Sequence, residues 1–290
     1  MNLLNGIKMN EVKLYLNYAG YCIADARHAV KGEKKRLIKF KALYALILHP
    51  LYGYILFDTG YTNRFFDATK NYPNKIYALT TKVKLKKSEE VKAQLKSHGI
   101  SSNEIKHIII SHFHADHIGG LKDFNNAKFY CTKKSFNQVK SISNFFAFSK
   151  GILKKLIPED FEERVCFIED VSKLKEDNIF NKAYDLFGDK SINIYNLPGH
   201  AAGQIGILIK TKIKNYFLLA DACWDIRAIT EEKTPNKIVK LFFDSWSDYI
   251  SSLNKLRKFN KKFPQIIMIP THCSKTTENL VSDKIDFNVL

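Results

Sequence analysis

The chain has 290 residues, 45% of them hydrophobic and 26% charged, with a formal net charge of +17. This is enough chain for a large buried core, and the composition is that of a globular protein rather than a fibrous or low-complexity one. No apolar run approaches the ~20 residues that a membrane-spanning helix needs, and Met1 to Gly6 leads into Glu11 and Lys13 without a signal-peptide core, so a cytoplasmic protein is expected.

Val12 to Tyr18 and Leu37 to His49 read as strands, with Ala19 to Lys35 as a polar loop between them. Pro50-Leu51-Tyr52-Gly53 is a turn signal before the strand Tyr54 to Phe57, which delivers Asp58-Thr59-Gly60. At a strand end beside a glycine, Asp58 is either a turn residue or a carboxylate that orients a metal-ligating imidazole. Ser88-Glu89-Glu90 opens a helix that carries Val91 and Leu95 and stops at Gly99. The next strand, Ile105 to Ile110, runs into Ser111-His112-Phe113-His114-Ala115-Asp116-His117-Ile118-Gly119-Gly120.

That decapeptide is the densest chemical signal in the chain. Where a strand frays into a loop, residues two apart project to one side, so His112 and His114 can hold one ion together. Asp116 and His117 lie past that point, where the chain turns, and can face a second ion. A mixed His/Asp set suits Zn, with Mn, Fe or Co as alternatives, rather than Ca or Mg.

Phe129 to Cys131 is a further short strand, and Lys133 to Glu163 is helical in tone, with Phe145, Phe146, Phe148, Ile152, Leu153, Leu156 and Ile157 as an interrupted apolar face. A helical insertion around 133–163 would serve as a lid or pocket wall, with core packing as the alternative. Ile192 to Leu197 runs into Pro198-Gly199-His200, and the hairpin Gly203 to Thr211 and Tyr216 to Ala220 ends in Asp221. Ser245 to Asn260 is an amphipathic helix with a capping-box start, and Gln265 to Ile269 leads to Pro270-Thr271-His272. His200, Asp221 and His272 thus each follow an apolar strand, as the first cluster does.

Together, Asp58-Thr59-Gly60, the His112 to His117 motif, Pro198-Gly199-His200, Asp221 and His272 resemble the metallo-β-lactamase superfamily over nearly the whole chain. The resemblance implies an α+β fold, a four-layer αββα sandwich in one domain spanning 1–290, with metals at one edge of the two sheets. It implies one divalent ion, most simply Zn, on His112, His114 and His200, and a second on Asp116, His117 and His272, with Asp221 bridging them. Within the superfamily the chain is most similar to the quorum-quenching N-acyl homoserine lactone lactonases. These usually carry a Tyr three residues after the bridging Asp, where this chain has Trp224, and a bulky residue where it has Ala115. Asp116, Asp221 and Trp224 are therefore the expected catalytic groups, and Ala115, Phe145, Phe146 and Trp224 the expected substrate contacts.

The activity implied is hydrolysis of a small-molecule lactone or related ester by a hydroxide shared between the two ions. A phosphodiesterase or ribonuclease of the same superfamily and a glyoxalase-II-like thioester hydrolase are the alternatives. Only six of the 46 basic residues are Arg, the rest being Lys spread along the chain. This favours a solvated lysine surface over a nucleic-acid face. Five scattered cysteines without a Cys-x-x-Cys pair point to free thiols in a reducing compartment. Cys223 and Cys273, next to two of these motifs, are expected to pack rather than to ligate.

Overall fold

The computed structural model describes residues 11–278, 280 and 281, so Met1 to Gly6 lies outside the described residues. Within them, thirteen strands form two sheets. The first contains β1 (Lys13–Asp25), β2 (Leu37–His49), β3 (Gly53–Phe57), β4 (Lys82–Lys84), β5 (Ile105–Ile109), β6 (Lys128–Cys131) and β7 (Val165–Phe167), in the order β4-β1-β2-β3-β5-β6-β7. The second contains β8 (Lys173–Asp177), β9 (Asn181–Asp185), β10 (Ile192–Asn196), β11 (Ile205–Lys210), β12 (Asn215–Ala220) and β13 (Ile267–Pro270), in the order β13-β12-β11-β10-β9-β8.

The period of two along a strand explains the layering. On β2, Leu43, Ala45 and Ile47 face the second sheet and meet Ile194, Ile207 and Leu218 in one core. The alternate residues Tyr44, Leu46 and Leu48 face outward and pack with Val91 and Leu95 of the helix Val91–Ser97. A third core lies outside the second sheet, where Leu197, Phe217 and Leu219 meet Tyr249, Leu253 and Leu256 of the helix Trp246–Lys262. Because both faces of the central strands are covered, they read as continuous apolar runs. The result is the expected αββα sandwich.

Two stretches differ from the sequence reading. Ala19 to Lys35 is loop only from Val30 on: β1 continues to Asp25, bulging near Gly20 and pairing with β2 on one side and β4 on the other, and the helical turn Ala26–Ala29 follows. Gly20 has φ +74, which permits the kink without breaking the ladder. Only Lys133–Ser141 of the stretch 133–163 is a sustained α-helix, capped by the Thr132 side chain. The left-handed Gly151 and then Pro158 interrupt the rest of the stretch, leaving the single turns Ala147–Lys150, Lys154–Leu156 and Phe161–Arg164.

Candidate metal centre

Strand direction brings the polar residues to one edge. In the second sheet β11 is antiparallel to both β10 and β12, and β12 is parallel to β13, so the C-terminal ends of β10, β12 and β13 share an edge. These ends carry His200, Asp221 and His272. In the first sheet β3 and β5 are parallel and end together at Asp58 and at the His112 to His117 loop. The two edges are joined where Ile205 N–H donates to the Ser111 carbonyl.

The ligand-capable atoms of three triads each lie within 4.8 Å of one another: His112, His114 and His200; His112, His117 and Asp221; and Asp116, His117 and His272. All seven predicted ligands are therefore in one cluster. His114 Nδ1 and His200 Nε2 are 3.0 Å apart, and His272 Nε2 lies 3.1 Å from Asp221 Oδ2 and 3.3 Å from Asp116 Oδ2.

Glycine makes two of these approaches possible. At Gly199 (φ +128) an added Cβ would fall 2.1 Å from Tyr249 N, so only glycine lets the Pro198-Gly199-His200 turn press on the helix Trp246–Lys262. At Gly151 (φ +69) it would sit 2.6 Å from the His114 ring.

The cluster fits a pair of cations on two grounds. First, His112 Nε2, His117 Nε2 and Asp221 Oδ1 are buried without a hydrogen-bond partner, an arrangement that costs about 1–3 kcal/mol per group unless something binds there. Second, three carboxylates, Asp58, Asp116 and Asp221, are buried at 0%, 8% and 3% exposure among imidazoles, so the centre carries excess negative charge. Burial alone lowers the pKa of His272, but the Asp221 and Asp116 carboxylates outweigh it and hold the ring up to about 10. His200 is dominated by burial instead and is pushed down to about 3, leaving a neutral imidazole of the kind metals take.

Hydrogen bonds behind the cluster fix several rings. His117 Nδ1–H donates to Asp58 Oδ2 at 2.7 Å, and His272 Nδ1–H donates to the Lys41 carbonyl at 2.9 Å. Asp58 is thus the orienting carboxylate of its two sequence readings. Trp224 Nε1–H donates to Asp221 Oδ2 at 3.0 Å. That proton is directed at Asp221, so the indole acts on the carboxylate.

A cavity of about 640 Å³ reaches the cluster at His114 and His200, walled by Ile23, Leu37, Ile76, Phe148, Leu241 and Phe242. The four expected substrate contacts lie elsewhere, Trp224 in a second cavity that also touches His272. Ala115 is wholly buried in the core outside the first sheet. Phe145, 63% exposed, lines a separate cavity with Tyr72 and Pro73, and Phe146 packs edge-on against it. The broken helix places Phe148, rather than Phe145 or Phe146, in the wall of the cavity that reaches His114. Leu241 and Phe242 lie in a stretch the sequence reading passed over; the signal was an apolar run, Ile238 to Phe243, with only Lys240 inside it. Cys223 and Cys273 are buried free thiols, as expected.

Known proteins resemble this chain in sequence and in fold. An N-acyl homoserine lactonase, AttM, of Agrobacterium fabrum is 24% identical over 257 residues, covering 88% of this chain and 90% of its own. A solved N-acyl homoserine lactone hydrolase with N-hexanoyl-L-homoserine at its catalytic metal centre superposes with a TM-score of 0.72 at 19% identity, over 95% of this chain and 98% of its own. The dizinc quorum-quenching lactonase AidC gives a TM-score of 0.60 at 17% identity, over 92% and 89%. Residues 51–272 match the metallo-beta-lactamase superfamily, a span that holds every member of the His/Asp cluster, and the chain belongs to that superfamily.

Proposed function

We propose that the chain is a dinuclear metal-dependent hydrolase that opens N-acyl homoserine lactones or closely related lactones. The observation that carries this reading is the meeting of the buried His/Asp cluster with an apolar cavity, which His114 and His200 join. Its size and lining suit a lactone ring at the imidazoles and an aliphatic tail along Leu241 and Phe242. The similarity to a lactonase over 88% of the chain favours the lactone over a phosphodiester.

In this reading His112, His114 and His200 would hold one ion and Asp116, His117 and His272 the other, with Asp221, grouped with His112 and His117, available to both. The mixed imidazole and carboxylate set favours Zn. Bound there, two divalent cations supply Lewis acidity, acidifying water towards neutral pH and polarising a carbonyl. Asp116, the most exposed of the three buried carboxylates, takes a proton during attack and returns it to the leaving alkoxide oxygen. Trp224 holds Asp221 in place through its N–H. The apolar wall excludes water around the reacting ester, and the 133–163 segment contributes Phe148, Ser149 and Gly151 to it as one side of a lid.

The chain works as one domain, since both sheets share a core, and five free thiols suit a reducing cytoplasm. A pH-stat screen of acyl homoserine lactones, a thioester and a nitrophenyl phosphodiester tests the assignment. Lactone opening is expected; turnover of the phosphodiester with none of the lactones would overturn it.

A further inference from the structure

A second cavity, of about 860 Å³, reaches the centre at His272 and Trp224 and shares no lining residue with the apolar one. Its floor is the outer edge of the first sheet. Cross-strand register places Lys84 opposite Tyr21 and Tyr21 opposite Lys41, so two lysines flank one tyrosine in a single row across β4, β1 and β2. Lys39 follows on the same side of β2, with its ammonium 4.9 Å from the centre of the Tyr21 ring. Arg36, Lys86 and Lys275 close the remaining sides.

The charges do not cancel. Of the three lining carboxylates, Asp225 is occupied by Arg227, whose Nη2 is 2.7 Å away, leaving Glu89 and Glu278. None of Arg36, Lys39, Lys84, Lys86 and Lys275 is within ion-pair distance of a described carboxylate. Like charges gathered on one sheet face destabilise the fold, and within a concave wall their field adds up. Nearly all of these cations are lysines, point charges arranged around a space. That suits a tetrahedral, multiply charged phosphate better than a planar carboxylate, which an Arg fork grips.

We propose that this cavity binds a small soluble phosphate ester carrying two or more negative charges. Its volume is that of a small-molecule site, and its tyrosines offer hydroxyl and ring contacts to the organic part of the ligand.

The test is calorimetric titration of the metal-loaded full chain with inorganic pyrophosphate, with metal content measured before and after. One equivalent should bind. In the Lys39→Glu/Lys84→Glu double variant the affinity should fall at least about tenfold, or about 1.4 kcal/mol. Lys128→Glu, an exposed lysine outside the cavity, should leave it unchanged. If the double variant fails to fold, Lys39→Gln/Lys84→Gln replaces it, with a smaller loss in the same direction. Absence of binding would overturn the proposal. So would equal affinity in the wild type and double variant, which would place the ion on the His/Asp centre. A parallel arm uses phosphatidylglycerol vesicles: vesicle binding that the double variant loses, without pyrophosphate binding, would assign the site to a lipid headgroup and overturn the soluble ligand.

Discussion

His117 and Asp58 face each other at 2.7 Å with neither side chain exposed to solvent, and the bond decides which imidazole nitrogen is offered to the centre. The carboxylate can only accept, so the proton sits on Nδ1 and Nε2 points at Asp116 and Asp221, 3.5 Å from an oxygen of each. Asp58 also accepts from Ser111 N–H at 2.8 Å and Ser111 Oγ–H at 2.7 Å, which leaves it little freedom to turn.

Asp58→Asn replaces one acceptor oxygen with a donor in this all-donor setting. Metal affinity should fall about 10- to 100-fold, measured by competition with a chromophoric chelator, while circular dichroism reports a retained fold. Unchanged affinity would reduce Asp58 to a turn residue.

Trp224→Phe keeps an aromatic ring against Phe40 and Phe243 but removes the N–H that holds Asp221. A hydrogen bond to a charged group contributes about 1.5–3 kcal/mol, so kcat should fall roughly 10- to 100-fold with KM changed less than about twofold. A rise in KM at constant kcat would place the indole on the substrate instead of on the carboxylate.

Leu241 and Phe242 are 78% and 58% exposed where they line the cavity, an exposure that a lipophilic tail would relieve. Covering about half of one such side chain is worth about 1 kcal/mol, so Leu241→Ser should raise KM for a long-chain acyl lactone about fivefold and leave a short-chain one unaffected. Phe145→Ser, on the other cavity, should change neither. Equal effects on both chain lengths would contradict this placement.

The ligand set was legible in the sequence because each member ends an apolar strand, and strand ends at a sheet edge are where extended chains release side chains. Asp58, readable as a turn residue or as a helper, needed the structure to decide between them. The cavity wall was far less legible. It is assembled from β1, a helical turn, Phe148 and the stretch at Leu241, and no local periodicity records that these segments meet. β1 past Gly20 was hidden because its residues are only half-buried at a sheet edge and mix polar with apolar, which reads as loop. Phe145 and Phe146 misled because a run of aromatics looks like one helix face until Gly151 breaks it.

His107, on β5, is pushed down to about 4 by burial first and then by Lys128 and His49. Its folded pKa lies below the ordinary 6.5, so the fold favours the neutral ring. That contribution is present above pH 6.5 and is lost as pH falls through about 4. His107→Asn should therefore lose less stability than the wild type on acidification across this window, followed by urea titration at fixed metal concentration. Parallel losses in the two proteins would contradict the assignment.

The most direct test of the account is the metal content of the purified chain, taken together with lactone turnover, in the wild type, His112→Ala and Asp221→Asn. Two equivalents of divalent metal per chain are expected in the wild type, with metal and activity lost together in both variants. Full lactone hydrolysis by a variant or chelated protein that holds no metal would contradict it.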